Sequence, residues 1–136
     1  MSSEWGFSLC LVLTLLLLLF VVVTGLSGRR RRLHITLVLS ALAALGASVF
    51  YALRMGAHYD LASAGAITPV HLWLAKLATL AYLLPITSGL LTIRDPSWRR
   101  WHRRFAFSVL ALTVATAITG TWMILAAERL PGGVLG

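Results

Sequence analysis

The chain reads as an all-α membrane protein, four transmembrane helices in an up-down bundle. Three observations predict it. Of 136 residues, 59% are apolar and only 12% charged, against about 25% charged in a soluble domain. The apolar excess gathers in four nearly charge-free runs, 5–26, 33–53, 71–93 and 105–127, each about 30–35 Å long as a helix and so long enough to cross a hydrocarbon core. Cations collect in two of the connections between them. This composition excludes a soluble enzyme, a nucleic-acid-binding domain and a disordered chain.

Each run has helix boundaries. The first is leucine-rich on all sides and closes at Ser27-Gly28, a glycine C-terminal signal. It lacks a basic leader, and its apolar core exceeds that of a cleaved signal peptide, so it is expected to be a retained helix. The second follows Arg29–Arg32 directly. Thr68-Pro69 reads as N-cap and first residue of the third helix, and Asp95-Pro96 does the same for the fourth. Pro131-Gly132-Gly133 is the stop signal of the last helix. The expected helices are 5–27, 33–54, 69–93 and 96–127, in one domain spanning 1–136. Pro85 removes a backbone donor, frees the Ala81 carbonyl and predicts a kink in the third helix, with Thr87 and Ser88 nearby to absorb the loss. Trp98, Trp101, His102 and Phe105 share one face at the start of the fourth, suited to the headgroup level.

Charge predicts the orientation. Arg29, Arg30, Arg31 and Arg32 fill the first connection, and Arg94, Arg99, Arg100, Arg103 and Arg104 crowd the third. The second connection and the tails hold Arg54 and Arg129 beside Glu4, Asp60 and Glu128. The positive-inside rule then places both basic connections in the cytoplasm and both termini outside, in a bacterial cytoplasmic membrane. The arginines set topology and contact anionic lipid headgroups rather than nucleic acid.

Small residues mark the packing faces. Ser40, Ala44 and Ser48 recur at spacing four in the second helix, and Thr116 and Gly120 in the fourth, a pattern that lets backbones approach closely in lipid. A weak repeat accompanies them. Thr24-Gly25, a basic loop, His34 and Ser40 are echoed by Ser88-Gly89, a basic loop, His102 and Ser108. The echo predicts equivalent sites for His34 and His102, near the basic end of each hairpin.

Few residues carry chemistry. His34 and His102 lie at one end of the spans, His58 and His71 at the other. Either pair has the ring chemistry for a b-type haem, whose iron takes a neutral imidazole from each side; the plain alternative is four histidines serving as polar end-residues at the interfaces. Lys76 is the only charge within a span and can snorkel to the surface or meet a partner. No carboxylate lies inside an apolar run, and no P-loop, zinc-protease or serine-hydrolase motif occurs, so the chain is expected to be non-enzymatic. Cys10 stands alone, which leaves no intrachain disulfide or thiolate metal site and makes it a small packing residue.

Pro85, then His102-Arg103-Arg104, then Thr119-Gly120, with Tyr51 and His58 earlier, resemble the pattern of a bacterial family of small four-helix membrane proteins linked to maturation of haem-copper cytochrome oxidases. The resemblance covers roughly residues 29–125. Where that family tends to carry further histidines, this chain has Arg29 and Lys76. The resemblance, with those histidines lost, implies a structural subunit more than an active maturation factor. Helix count and histidine placement give a looser likeness to b561-type four-helix cytochromes.

The expected function is that of a small subunit or assembly factor of a membrane energy-transducing complex, respiratory or photosynthetic. Its partners would be other integral membrane subunits and anionic lipids, with no cofactor. The alternative is a b-haem electron carrier using His34 and His102. The orientation has a direct test. In a Cys10→Ala background, a Gly132→Cys variant should react with an impermeant maleimide in intact cells; reaction only after the membrane is opened reverses the topology.

Overall fold

The computed structural model describes residues 2–28 and 30–131. Arg29 and the stop glycines Gly132 and Gly133 lie outside the described residues. Four helices are long and apolar enough to cross a membrane: Ser3–Ser27, Arg31–Gly56, Ile67–Arg94 and Pro96–Ala126. The chain is a multi-pass, all-α membrane protein. Its contacts gather into two compact units, one formed by the residues before Leu61 together with the chain from Arg129, the other by Leu61–Glu128.

The first unit is a hairpin of α1 (Ser3–Ser27) and α2 (Arg31–Gly56). The Ser2 side chain caps α1 by accepting from the Trp5 amide, with Glu4 in the first turn, where its charge suits the helix dipole. Gly28 ends the helix in the left-handed region, φ 63°, and its amide donates to the Thr24 carbonyl, as the Ser27-Gly28 signal predicts. The inward face of α2 is made of small residues. Ala41, Ala44 and Ser48 are buried, and so is Thr14 of α1. Ser40 is exposed, so the packing stripe runs from Ala41 and not from Ser40. The Thr14 and Ser48 hydroxyls meet at 3.2 Å and also donate to their own helices, at Cys10 O and Ala44 O. Gly6 makes room for an aromatic ring: a Cβ there would lie 2.6 Å from Tyr51 Cε1. Beyond α2 the chain returns at Arg129. Its guanidinium pairs with Glu4, its Nε donates to the Tyr59 hydroxyl, and that hydroxyl donates to Glu4. Leu130 N donates to His58 O.

The second unit begins with a short 3-10 turn, Leu61–Ala64, and Gly65 at φ 72°. It continues as α3 (Ile67–Ala81), α4 (Leu83–Arg94), a 3-10 turn Pro96–Trp98 and α5 (Arg99–Ala126). Thr68 is not the N-cap that the sequence suggests. The helix already runs from Ile67, and the Thr68 hydroxyl donates backwards to Leu61 O; Pro69 still falls in the first turn, where its missing N–H costs nothing. The third span breaks at Tyr82, one turn ahead of Pro85, where proline withdraws the donor for Ala81 O. The nearby hydroxyls bond elsewhere than expected, Thr87 to Leu83 O and Ser88 to Leu84 O. Tyr82 braces the break, its hydroxyl 2.8 Å from Thr113 Oγ1, and Thr113 donates to Val109 O. The last helix ends at Ala126, with Ala127 extended. Pro131 therefore follows that end by several residues and is not what stops it.

The surface is apolar. Among the described residues the buried hydrophobic side chains are Ala41, Ala44, Met55, Ala78, Val109 and Met123, while Leu125, Trp73, Trp5 and Leu53 are more than 70% exposed. Large side chains outside and small ones at the seams is the arrangement a lipid solvent favours, because lipid supplies no hydrophobic drive between helices.

Asp95 is the helix cap the sequence predicts. Its carboxylate accepts from Ser97 N at 2.9 Å and from the Ser97 hydroxyl at 2.7 Å, and these bonds, the backbone one foremost, hold its pKa below the ordinary carboxylate value. A depressed folded-state pKa gives stability that is present above the unfolded pKa and lost as pH falls through the folded one. Asp95→Ala should lower the melting temperature at neutral pH. The difference from wild type should shrink on acidification below the ordinary aspartate pKa, read by circular dichroism in detergent.

Candidate functional site

Three of the four histidines sit in the same local structure, built from a hydroxyl residue followed by glycine on the facing helix. In the first unit, His34 near the start of α2 points at the last turn of α1. Its Nδ1 lies 3.1 Å from Thr24 Oγ1 and 3.1 Å from Val21 O, and a Cβ on Gly25 would stand 3.1 Å from the ring's Cε1. In the second unit, His102 near the start of α5 meets α4 in the same way. Nδ1 is 3.3 Å from Ser88 Oγ and 3.0 Å from Pro85 O, and a Gly89 Cβ would stand 3.1 Å from Cε1. At the far end of this hairpin the helices exchange parts. His71 on α3 has Nδ1 3.2 Å from Thr119 Oγ1 of α5, and its ring would clash at 2.7 Å with a Cβ on Gly120.

The chemistry of each seat follows from its donors. A backbone carbonyl only accepts, so Nδ1 of His34 and of His102 carries the proton and shares it between the carbonyl and the hydroxyl oxygen. The hydroxyl's own hydrogen is spent one turn back, at Phe20 O for Thr24, Leu84 O for Ser88 and Ala115 O for Thr119, the common mode of Ser and Thr in apolar helices. Glycine supplies the space, since any Cβ would hold the ring off the carbonyl. With Nδ1 protonated, Nε2 is the acceptor nitrogen of the neutral ring.

The remaining expected site residues fall elsewhere. His58 is exposed, two residues past the end of α2, and its Nδ1 donates back to Arg54 O in the last turn of that helix. His34 and His58 belong to the first unit, His71 and His102 to the second. Ala44 and Ser48 are buried at the α1–α2 seam, whereas Thr116 and Gly120 are half-buried, with Gly120 serving as the floor of the His71 seat. Lys76 is exposed on α3 between Trp73 and Leu77. Arg30, Arg31, Arg32, Arg99, Arg100, Arg103 and Arg104 are all exposed. No group of three or more histidine, cysteine or acidic side chains is placed to hold a metal ion among the described residues.

Sequence reasoning paired His34 with His102 and found Thr24-Gly25 and Ser88-Gly89, but it missed the third seat. The signal was present. Thr119-Gly120 is the remaining hydroxyl–glycine pair within a span, and His71 the remaining histidine inside one. Ser40 and Ser108, the other half of the echo, are both exposed and take no part.

Comparison with known proteins finds no matching family model, no matching curated protein and no matching solved structure.

The seats differ in tightness, which makes a graded test. Gly120→Ala must displace the His71 ring and should cost about 1–3 kcal/mol, as overpacked sites do. Gly25→Ala and Gly89→Ala meet the ring at 3.1 Å and should cost less, being partly offset by the better helix propensity of alanine, up to about 1 kcal/mol. Gly46 has open space around its Cβ position, so Gly46→Ala should be neutral or stabilising. Reversible unfolding in mixed micelles, followed by circular dichroism, ranks the four.

Proposed function

We propose that this chain is a non-enzymatic, small integral-membrane subunit or assembly factor of an energy-transducing complex, respiratory or photosynthetic, in a bacterial cytoplasmic membrane. It acts by presenting packed helices to other membrane subunits. The observation that carries the reading is the fate of the polar side chains. Two of the three span-embedded histidines, His34 and His102, donate to a backbone carbonyl of the facing helix in their own hairpin, His71 meets the Thr119 hydroxyl of its facing helix, and the outward residues are large and apolar. Polar groups so placed tie helices together, and the apolar exterior is what neighbouring membrane helices and lipid contact. The residues behind the resemblance to the oxidase-linked family, His102 and Thr119-Gly120, are parts of two of these seats. That gives them a packing role consistent with a structural subunit. The positive-inside rule supports both termini on the outer side.

A b-type haem is the second reading, and one feature favours it. A ring that donates Nδ1–H to a carbonyl is in the tautomer and orientation that metal-binding histidines use, with Nε2 as the ligating nitrogen. A bis-imidazole haem would need two such rings on one iron, and each basic hairpin end supplies one, His34 or His102.

The two readings separate in one preparation. Purified in mild detergent, the wild type is expected to show no Soret band attributable to this chain. His34→Ala and His102→Ala should lower thermal stability while leaving the set of co-purifying membrane subunits nearly unchanged. A stoichiometric, redox-sensitive Soret band abolished by either substitution overturns the packing reading and establishes the haem one.

A further inference from the structure

The first two turns of α5 carry four arginines and no acidic residue. A helix N-terminus is the positive end of the macrodipole and favours anions, so these charges oppose the helix they begin. They are not randomly disposed. Arg100, Arg103 and Arg104, with Phe107 and Ser108 below them, line an open groove on one side of α5, at the i, i+3, i+4, i+7 and i+8 positions that form a continuous helix face. All five residues are exposed, and Phe107 is 45% exposed. The same face continues through exposed Ala111, Val114 and Ile118, an apolar track running into the membrane-spanning part of the helix. The Arg104 guanidinium lies 5.3 Å over the Trp101 ring, which stacks on Phe105. The nearest acid along the chain, Asp95, is occupied by Ser97.

We infer that this face of α5 is a binding site for an anionic phospholipid. Arg100, Arg103 and Arg104 take the phosphate, Ser108 faces the glycerol-ester level, and one acyl chain lies along Phe107, Ala111 and Val114. Guanidinium forks suit phosphate oxygens because they donate two parallel hydrogen bonds. The transition from three cations to an apolar strip within two helical turns matches a molecule with its charge at one end and a chain at the other. Free phosphate would satisfy the arginines and leave the strip without a ligand. The basic start of α2, with Arg30, Arg31 and Arg32, carries the same number of arginines but in a consecutive run that spreads around the helix instead of along one face, so it is the internal control.

The test is native mass spectrometry of delipidated protein titrated with dioleoyl-phosphatidylglycerol or dioleoyl-phosphatidylcholine. Wild type should retain phosphatidylglycerol in preference to phosphatidylcholine. The Arg100→Gln, Arg103→Gln, Arg104→Gln triple variant should bind it weaker by roughly a hundredfold, at about fivefold per arginine, while the Arg30→Gln, Arg31→Gln, Arg32→Gln variant changes little. Phe107→Ala should weaken phosphatidylglycerol binding severalfold. Should the glutamine variant not fold, the corresponding triple lysine variant decides, since it keeps the charge but loses the planar fork; severalfold weaker binding is expected. Equal losses from both basic clusters, unchanged binding in the lysine variant, or displacement of the lipid by millimolar inorganic phosphate each overturns the assignment.

Discussion

The constraint on which this structure depends is that lipid forms no hydrogen bonds. A soluble helix may carry a serine, threonine or histidine on its surface and let water satisfy it. Here the same groups must be closed within the chain, and two devices do it. Hydroxyls donate to the carbonyl one turn back, as at Thr14, Ser48, Thr113 and Thr119. Histidines reach across to a neighbouring helix and spend Nδ1 on a carbonyl there. Among the described residues no buried side-chain nitrogen or oxygen is left without a hydrogen bond. The packing follows from that closure. The seams hold alanine, glycine and small hydroxyl residues because a close approach is what brings the ring to the carbonyl, and the bulky leucines and tryptophans are left for the outside.

Glycine is the quiet half of each histidine seat. The ring must lie almost on the backbone of the facing helix for Nδ1 to reach the carbonyl, and the residue after the hydroxyl is the one whose Cβ would stand in the way. Gly25, Gly89 and Gly120 each occupy that position. The same logic, with a different ring, operates at Gly6, where the Tyr51 aromatic edge takes the space. Interhelical polar contacts in membrane proteins contribute only about 0.6 kcal/mol on average. The value of the seats therefore lies more in fixing the register of one helix against the other than in bulk stability.

Much of this was legible in the sequence, for physical reasons. Four spans show plainly because length and apolarity are properties of single segments. The Asp95 cap, the Ser27-Gly28 stop and the Pro85 break are local stereochemistry and came through. Thr68 failed as a cap because its hydroxyl found the Leu61 carbonyl, an acceptor supplied by the preceding turn. Ser40 lies outside the α1–α2 seam because a spacing of four fits two adjacent faces of a helix equally well, and the buried one runs through Ala41 and Ala44. The histidine repeat was half seen. Its basic ends share one chain order, hydroxyl–glycine first and histidine second. The third seat reverses that order across 48 residues, so its two parts, His71 and Thr119-Gly120, stand in the sequence without reading as an echo of the other two.

Charge is distributed unevenly between the helix ends. Both α2 and α5 begin with arginines where dipole electrostatics would choose acids, whereas α1 begins with Glu4 in the favoured sense. Helix stability is thus not what sets the sign at the two basic turns. The kind of benefit that offsets it lies outside the helix, since arginines beside a bilayer gain from its potential and its phosphate layer. The opposite end of the first unit is held internally instead, with Arg129 between Glu4 and Tyr59. One end of this hairpin closes its charges on itself, and the other offers them to its surroundings. That asymmetry is what a helical hairpin needs in order to have a fixed direction in a bilayer whose hydrocarbon interior is the same from either side.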